Sequence, residues 1–260
     1  MIGLGLSNTK HEDGRLAFSP TNLPDCKLFY NCYGTSEDNH IVFNETSLKV
    51  SRINDNPSTG ISEFDMTQGT STRQPLYRVD GEYISFDGGD FLDTSSKITF
   101  TGGTTGFALM WCGSATAWAD EQVLIGNADG TYSYLGIAAD NAGFTLRCKD
   151  GASASTTTVT LQPTEAQMTA IQAEEFNEVV FFVVVNVDIA GNATLYLNNE
   201  EGAAGGDMGD DSFYISSLGT NSKGTDTLTG TMLAMAAYSR NLKRAEITDL
   251  YNWYLSRIGV

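Results

Sequence analysis

Residues 122–161 read QVLIGNADGTYSYLGIAADNAGFTLRCKDGASASTTTVTL. Four short runs stand out: QVLIG (122–126), YSYLGIA (132–138), GFTLRCK (143–149) and TTTVTL (156–161). Asp129-Gly130, Asp140-Asn141 and Asp150-Gly151 separate them. Apolar and β-branched runs of this length, bounded by turn formers, predict antiparallel strands joined by tight connections. The pattern extends in both directions. Upstream lie EYISF (82–86) and GFALMWCGS (106–114). Downstream lie EVVFFVVVNV (178–187), ATLYLN (193–198), FYISSLG (213–219) and TGTMLAMAAYS (229–239), with Gly191-Asn192 as a further turn. Many short strands at near-regular spacing predict an all-β antiparallel sandwich or jelly roll. The run VVFFVVVNV (179–187) shows no alternation, so it predicts a strand buried on both faces. It is too short to span a bilayer, which takes about 20 residues.

Two helices interrupt the strands. PTEAQMTAIQAEEF (163–176) opens on Pro163 and Thr164, with Gln167 three residues after Thr164, the pattern of a capping box. KRAEITDLYNWYLSRIG (243–259) places Ile247, Leu250, Tyr251 and Tyr254 on one face, and Gly259 suits its end. No internal repeat or heptad run appears, so the sequence encodes no fibre shaft.

Composition narrows the partners. The 260 residues suit one large β domain or two small ones, and 27 glycines against 5 prolines fit a turn-rich fold. The net charge is −17, from 32 acidic and 15 basic residues. Such a chain repels phosphate backbones and anionic lipid, so neither nucleic-acid binding nor membrane insertion is expected. The opening MIGLGLSNTKHEDG lacks the basic region and apolar core of a secretory signal. Cys26, Cys32, Cys112 and Cys148 form no CxxC pair, and neither His11 nor His40 lies near them, which argues against zinc. Cys112 and Cys148 fall in strand-like runs and are expected as small core residues. Pairing of Cys26 with Cys32 stays open.

Two segments carry a family resemblance. In SRINDNPSTGISEFDMTQGTSTRQPLYRVDGEYISFDGGDFLD (51–93) the elements are Ile53-Asn54-Asp55, Gln74-Pro75-Leu76-Tyr77, Phe86-Asp87-Gly88 and Phe91-Leu92. The closing segment is ATLYLNNEEG (193–202) followed by LTGTMLAMAAYSRNLKRAEITDLYNWYL (228–255), with Gly230, Tyr238, Leu242, Glu246 and Ile247. Their order and spacing resemble the concanavalin A-like (laminin-G-like) jelly-roll modules of bacteriophage virion proteins. The resemblance covers about residues 45–258. It implies a concanavalin A-like antiparallel sandwich over 45–260, with Gly230 as a bulge-prone position. Residues 1–44 then form an N-terminal arm and a first strand, CKLFYNCY (26–33). Within the arm, IGLGLS (2–7) carries Ile2, Leu4 and Leu6, a pattern suited to adding to the sheet edge of a virion neighbour.

The resemblance also raises the question of catalysis. Retaining glycosidases of this fold carry carboxylates two apart on one strand face, as Glu63 and Asp65 stand in ISEFDMTQG (61–69). They also need a third carboxylate as acid/base, and the positions for it are Thr67 and Gln68, which cannot serve. Glu63 and Asp65 are therefore expected as solvated acids on an edge or loop. No Gly-x-Ser-x-Gly elbow, phosphate loop or His-Glu-x-x-His is present. No cofactor is expected. Laminin-G-like folds sometimes hold calcium, for which the candidate oxygens are Asp87, Asp90, Asp129, Asp140 and those of GGDMGDD (205–211), with Asp207, Asp210 and Asp211 the densest group. Trp111 and Trp253 are expected in the core or an interface. Trp118, in ATAWADE, is the candidate for an exposed ring that seats a sugar or a protein neighbour.

The leading expectation is a non-enzymatic virion structural protein, a capsid decoration or head-fibre protein on the particle exterior. Its partners would be the major capsid protein or other virion proteins, and it would self-associate as a homo-oligomer. The alternative is a tail-associated adhesin that binds host-surface glycan. A glycan hydrolase is the third reading.

Overall fold

The computed structural model describes residues 18–32, 41–55, 64–115, 121–127, 133–138, 143–149, 156–173, 180–221 and 227–258. Among them, strands follow in the order β1 (Cys26–Asn31), β2 (Ile41–Phe43), β3 (Val50–Ile53), β4 (Met66–Thr67), β5 (Leu76–Arg78), β6 (Tyr83–Asp87), β7 (Leu92–Thr101), β8 (Phe107–Ala115) and β9 (Gln122–Gly126). They continue as β10 (Tyr134–Ile137), β11 (Phe144–Lys149), β12 (Thr156–Leu161), β13 (Phe181–Val187), β14 (Asn192–Leu197), β15 (Glu200–Glu201), β16 (Gly206–Asp207), β17 (Ser212–Leu218) and β18 (Thr229–Tyr238). Helices are α1 (Gly102–Thr105), α2 (Glu165–Ala173) and α3 (Arg244–Ile258).

The strands form two antiparallel sheets. The first runs β15-β14-β13-β8-β18-β6-β5, with β16 beside β14, and β1 and β6 sharing one edge of β18 end to end. The second runs β12-β11-β10-β9-β17-β7-β4-β3-β2. The inner faces meet in one core that holds Leu109, Trp111, Phe144, Val183, Phe213 and Met235. This is the antiparallel sandwich the strand pattern predicts.

The first sheet is buried on its outer face as well. Met110, Cys112, Phe182, Val184 and Ala236 point away from the inter-sheet core and pack under Ile247, Leu250, Trp253 and Tyr254 of α3. Two buried faces explain the unbroken apolar run of β13. Within it, half-buried Asn186 clamps the chain entering α3: its side chain donates to the Leu242 carbonyl at 3.0 Å and accepts the Leu242 N–H at 2.7 Å. Trp253 meets Phe29 of β1 edge-on at 5.6 Å, and the Tyr254 hydroxyl donates to the Val180 carbonyl. Both Trp111 and Trp253 are thus core residues.

Several details depart from the sequence expectation. Strand β7 and the short strands β2, β4 and β5 lie where no regular strand was read: β7 carries a polar outer face, and the others span three residues or fewer. Helix α1 is a single extra turn between β7 and β8. Register shifts along β18 fall between Met232 and Ala234 rather than at Gly230. Gly230 is needed for a different reason: a Cβ there would collide with the Ser114 carbonyl of β8. Cys26 and Cys32 stand at opposite ends of β1, about 20 Å apart along an extended strand, far beyond disulfide reach. Both are free thiols. β1 pairs with β18, and β2 pairs with β3, so pairings cross the expected boundary between residues 44 and 45. Ile2, Leu4 and Leu6 lie outside the described residues.

Candidate functional site

Strand β6 alternates. Ile84 and Phe86 enter the core, so Tyr83 and Ser85 face outward. Ser85 lies opposite Thr231 of β18, and Thr231 lies opposite Ser114 of β8, which sets three hydroxyls in one cross-strand row. Ser114 and Thr231 hydroxyls share a hydrogen bond of 2.8 Å, and Thr231 Oγ1 accepts the Ser114 N–H at 3.1 Å. Beside them, Thr229 N–H donates to the buried Gln122 side chain at 2.8 Å. The β5–β6 turn closes the other side. There Gly81 lies so near the Tyr83 ring that a Cβ would overlap it, so only glycine fits beside the ring.

Together these residues bound an open cleft of about 340 Å³, lined by Arg78, Asp80, Tyr83, Ser85, Phe86, Ser114, Thr229, Gly230 and Thr231. Arg78 and Asp80 are exposed, and Tyr83 is half-buried. Such a lining offers one aromatic face, one guanidinium fork, one carboxylate and a rank of hydroxyls. It is equipped to bind hydroxyl-rich molecules through stacking and directed hydrogen bonds.

The cleft floor continues into the β6–β7 turn. Asp87 pairs with Thr229, Gly88 N–H donates to the Leu228 carbonyl at 3.0 Å, and the Thr227 hydroxyl donates to the Gly88 carbonyl. Asp90 is 3% exposed and accepts the Asp87 N–H at 3.3 Å. Burial first, then the neighbouring Asp87 carboxyl, push Asp90 up to about 7.

The residues singled out in the sequence do not assemble at this cleft. Asp65 precedes β4 rather than lying within it, and its Oδ1 accepts the Asp55 N–H at 3.1 Å. Asp55 in turn accepts the Phe29 N–H at 3.1 Å, so Asp65 belongs to a brace that ties this segment to β1. It is half-buried, not solvated. Glu63 and Trp118 lie outside the described residues, as do Asp129 and Asp140. Asp207 is exposed, with Oδ1 accepting the Gly209 N–H at 2.8 Å, and Asp210 is exposed. Asp211 is buried, with its backbone carbonyl accepting the Gly102 N–H of α1. Among the described residues, no three of His, Cys, Asp and Glu come together to hold a metal.

A second polar cluster sits on the other sheet. The Tyr134 hydroxyl donates to Glu121, and Arg147 donates to Thr156 Oγ1 at 3.1 Å. Burial, then Glu121, push the Tyr134 phenol up, the direction opposite to an activated nucleophile.

The cleft residues were missed in the sequence because each is individually unremarked. Their signal was the outward set of an alternating strand, Tyr83 and Ser85, and the polar Thr229-Gly230-Thr231 at the head of an otherwise apolar β18.

No protein-family model matches the chain. No curated protein sequence matches it. Solved structures do resemble it. The binding domain of a Paraclostridial mosquitocidal protein superposes with a TM-score of 0.55 at 16% identity, over 84% of this chain and 53% of that one. The binding domain of botulinum neurotoxin DC, solved in complex with rat synaptotagmin II, gives 0.53 at 13% identity, over 88% and 51%. Domain 4 of a Geobacillus stearothermophilus GH43 arabinanase, solved in complex with arabinotriose, gives 0.51 at 14% identity, over 87% and 98%. The chain thus spans about half the length of the two toxin structures and nearly all of the arabinanase domain. These likenesses establish a β-sandwich fold.

Proposed function

We propose that the chain is a non-enzymatic glycan-binding module and that the cleft between the β5–β6 turn and the Ser85–Thr231–Ser114 row is its sugar site. The lining carries this reading. A ring face suits the apolar side of a pyranose or furanose, while Arg78, Asp80 and the hydroxyls suit its edge. The arabinanase domain supports it further, since that domain was solved in complex with arabinotriose and the match spans 98% of its length. Of the two virion readings drawn from the sequence, the comparisons support adhesion over shell decoration. Nothing in the described residues favours decoration.

Against the catalytic alternative stands the sequence reading, in which Thr67 and Gln68 occupy the positions for the acid/base carboxylate. A glycan array probed with the purified chain tests the proposal. Signal on oligosaccharide spots, lost in Arg78→Ala, supports it. A blank array, or signal that survives both Arg78→Ala and Tyr83→Leu, overturns it.

A further inference from the structure

We propose that the cleft selects neutral, hydroxyl-bearing glycans and turns away sugars that carry a carboxylate. This rests on the reading of the cleft as a sugar site and adds the chemical class of sugar that it takes.

Three observations carry it. The first is the charge along the lip. Among the described residues that line the cleft, Arg78 is the one cation, and Asp80 stands two residues beyond it. Both are exposed. Among the described residues, neither enters an ion pair or a side-chain hydrogen bond, with the other or with any neighbour. The guanidinium therefore offers donors and the carboxylate offers acceptors to whatever fills the cleft. Sugar hydroxyls satisfy both, because each one donates and accepts. A sugar carboxylate satisfies Arg78 alone and sets its charge beside Asp80.

The second is the far end of the floor. Asp87 follows Ser85 by two residues on β6, so its side chain emerges on the same outer face about 7 Å farther on. It is exposed, and its cross-strand partner is the lining residue Thr229. Its Oδ1 accepts the Gly89 N–H at 2.9 Å, which fixes the carboxylate at the turn. The row of Ser85, Thr231 and Ser114 thus lies between a carboxylate in the β5–β6 turn and a second at the end of β6.

The third is where the neighbouring cations go. Lys49 bridges to Leu76 of β5, but its ammonium donates to the Ser71 carbonyl. Arg73, just ahead of β5, holds its guanidinium over the Phe91 ring, 5.7 Å from the centroid. Arg78 is thus left to face two carboxylates, within a chain of net charge −17 whose field has the same sign. This repulsion excludes acidic sugars at no cost to the hydrogen bonds made with neutral ones.

The test uses matched pairs on an array, each hexuronate oligomer beside its carboxyl-reduced, neutral counterpart, probed with a concentration series of the full chain. The expected result is at least about a tenfold preference for the neutral member in about 0.01 M salt, where charge acts over about 30 Å, and a smaller one in about 1 M salt, where it acts over about 3 Å. Asp80→Asn and Asp87→Asn should each narrow the low-salt gap by about two- to threefold. Each variant alters a single charge of the net −17, so a narrowing of that size assigns the repulsion to the cleft rather than to the molecule at large. Acidic members bound as tightly as neutral ones, or a gap that both variants leave unchanged, overturns the selectivity while the sugar site stands. Binding to neither member of any pair overturns the sugar site and the selectivity with it.

Discussion

Glu246 shows what a single side chain contributes here. It takes two hydrogen bonds from Arg240, at 2.7 and 2.9 Å, and a third from the Lys243 N–H at 2.7 Å at the start of α3. The Arg240 hydrogen bonds hold the carboxyl below its ordinary range. Glu246→Ala should cost about 2 kcal/mol at pH 7, from the lost charged pair and the lost cap. A group whose pKa is lower when folded stabilises above its unfolded value, so this difference should shrink as the pH falls below 4. Urea melts at pH 7 and pH 3 check it. Asp90 runs the other way. Its folded value near 7 exceeds its ordinary 3.8, so the unfolded chain releases that proton first and stability falls as pH rises between the two. Asp90→Asn should raise Tm at pH 8 and leave it nearly unchanged at pH 4. A lower Tm at pH 8 would contradict the assigned cause. At this scale the sequence was only partly legible. Glu246 and Leu242 stood out as spacings in a run, yet their partners Arg240 and Asn186 are long-range or local contacts that spacing alone does not reveal. Asp65 looked like half of an acid pair because its i, i+2 neighbour is visible in one dimension. Its true partner, the Asp55 N–H, is not.

At the scale of elements, turn and cap chemistry transferred well. The Thr164–Gln167 box forms in both directions: Thr164 N–H donates to Gln167 Oε1 at 2.6 Å, and Gln167 N–H donates to Thr164 Oγ1 at 3.2 Å. The same glutamine also docks the helix, because its amide donates to the Leu197 and Glu200 carbonyls at 3.1 Å. Gln167→Ala should therefore raise amide exchange through α2 and the β14–β15 turn together, a coupling that hydrogen-exchange mass spectrometry resolves. Loss of protection in α2 alone would mean that the docking bonds are idle. Gly230 gives a harder constraint. Ala at this position meets the Ser114 carbonyl and Ala115 Cα of β8, so Gly230→Ala should destabilise by roughly 3 kcal/mol or more through strain at a central strand pair. Thermal melts would settle the size. Strands with one fully apolar face and clear turns were readable. Strand β7 was not, since Leu92–Thr101 carries Asp, Ser, Thr and Lys on its outer face and earns its place through pairing with β17.

At the scale of the whole molecule, two sheets and one helix give a sandwich with three layers of packing on one side. Helix α3 covers part of the outer face of the first sheet, and Tyr83 of the cleft packs against the same outer cluster. Arg78 is the cleft residue best placed to test binding apart from stability, because it is exposed on β5 while Phe86, Ser114 and Gly230 are buried. The net charge of −17 sets a background that repels polyanions, so salt should strengthen capture of any acidic glycan and leave a neutral one unaffected. Fold class emerged from strand and turn pattern. The cleft did not, because Arg78, Tyr83, Ser114 and Thr231 come from four strands that only the folded register brings together. The most direct measurement is calorimetric titration of the best array glycan into wild-type, Arg78→Ala and Tyr83→Leu chains of matched Tm. The cleft account predicts at least about a tenfold loss of affinity, about 1.4 kcal/mol, in each variant. Unchanged affinity in both variants would place the sugar elsewhere and contradict it.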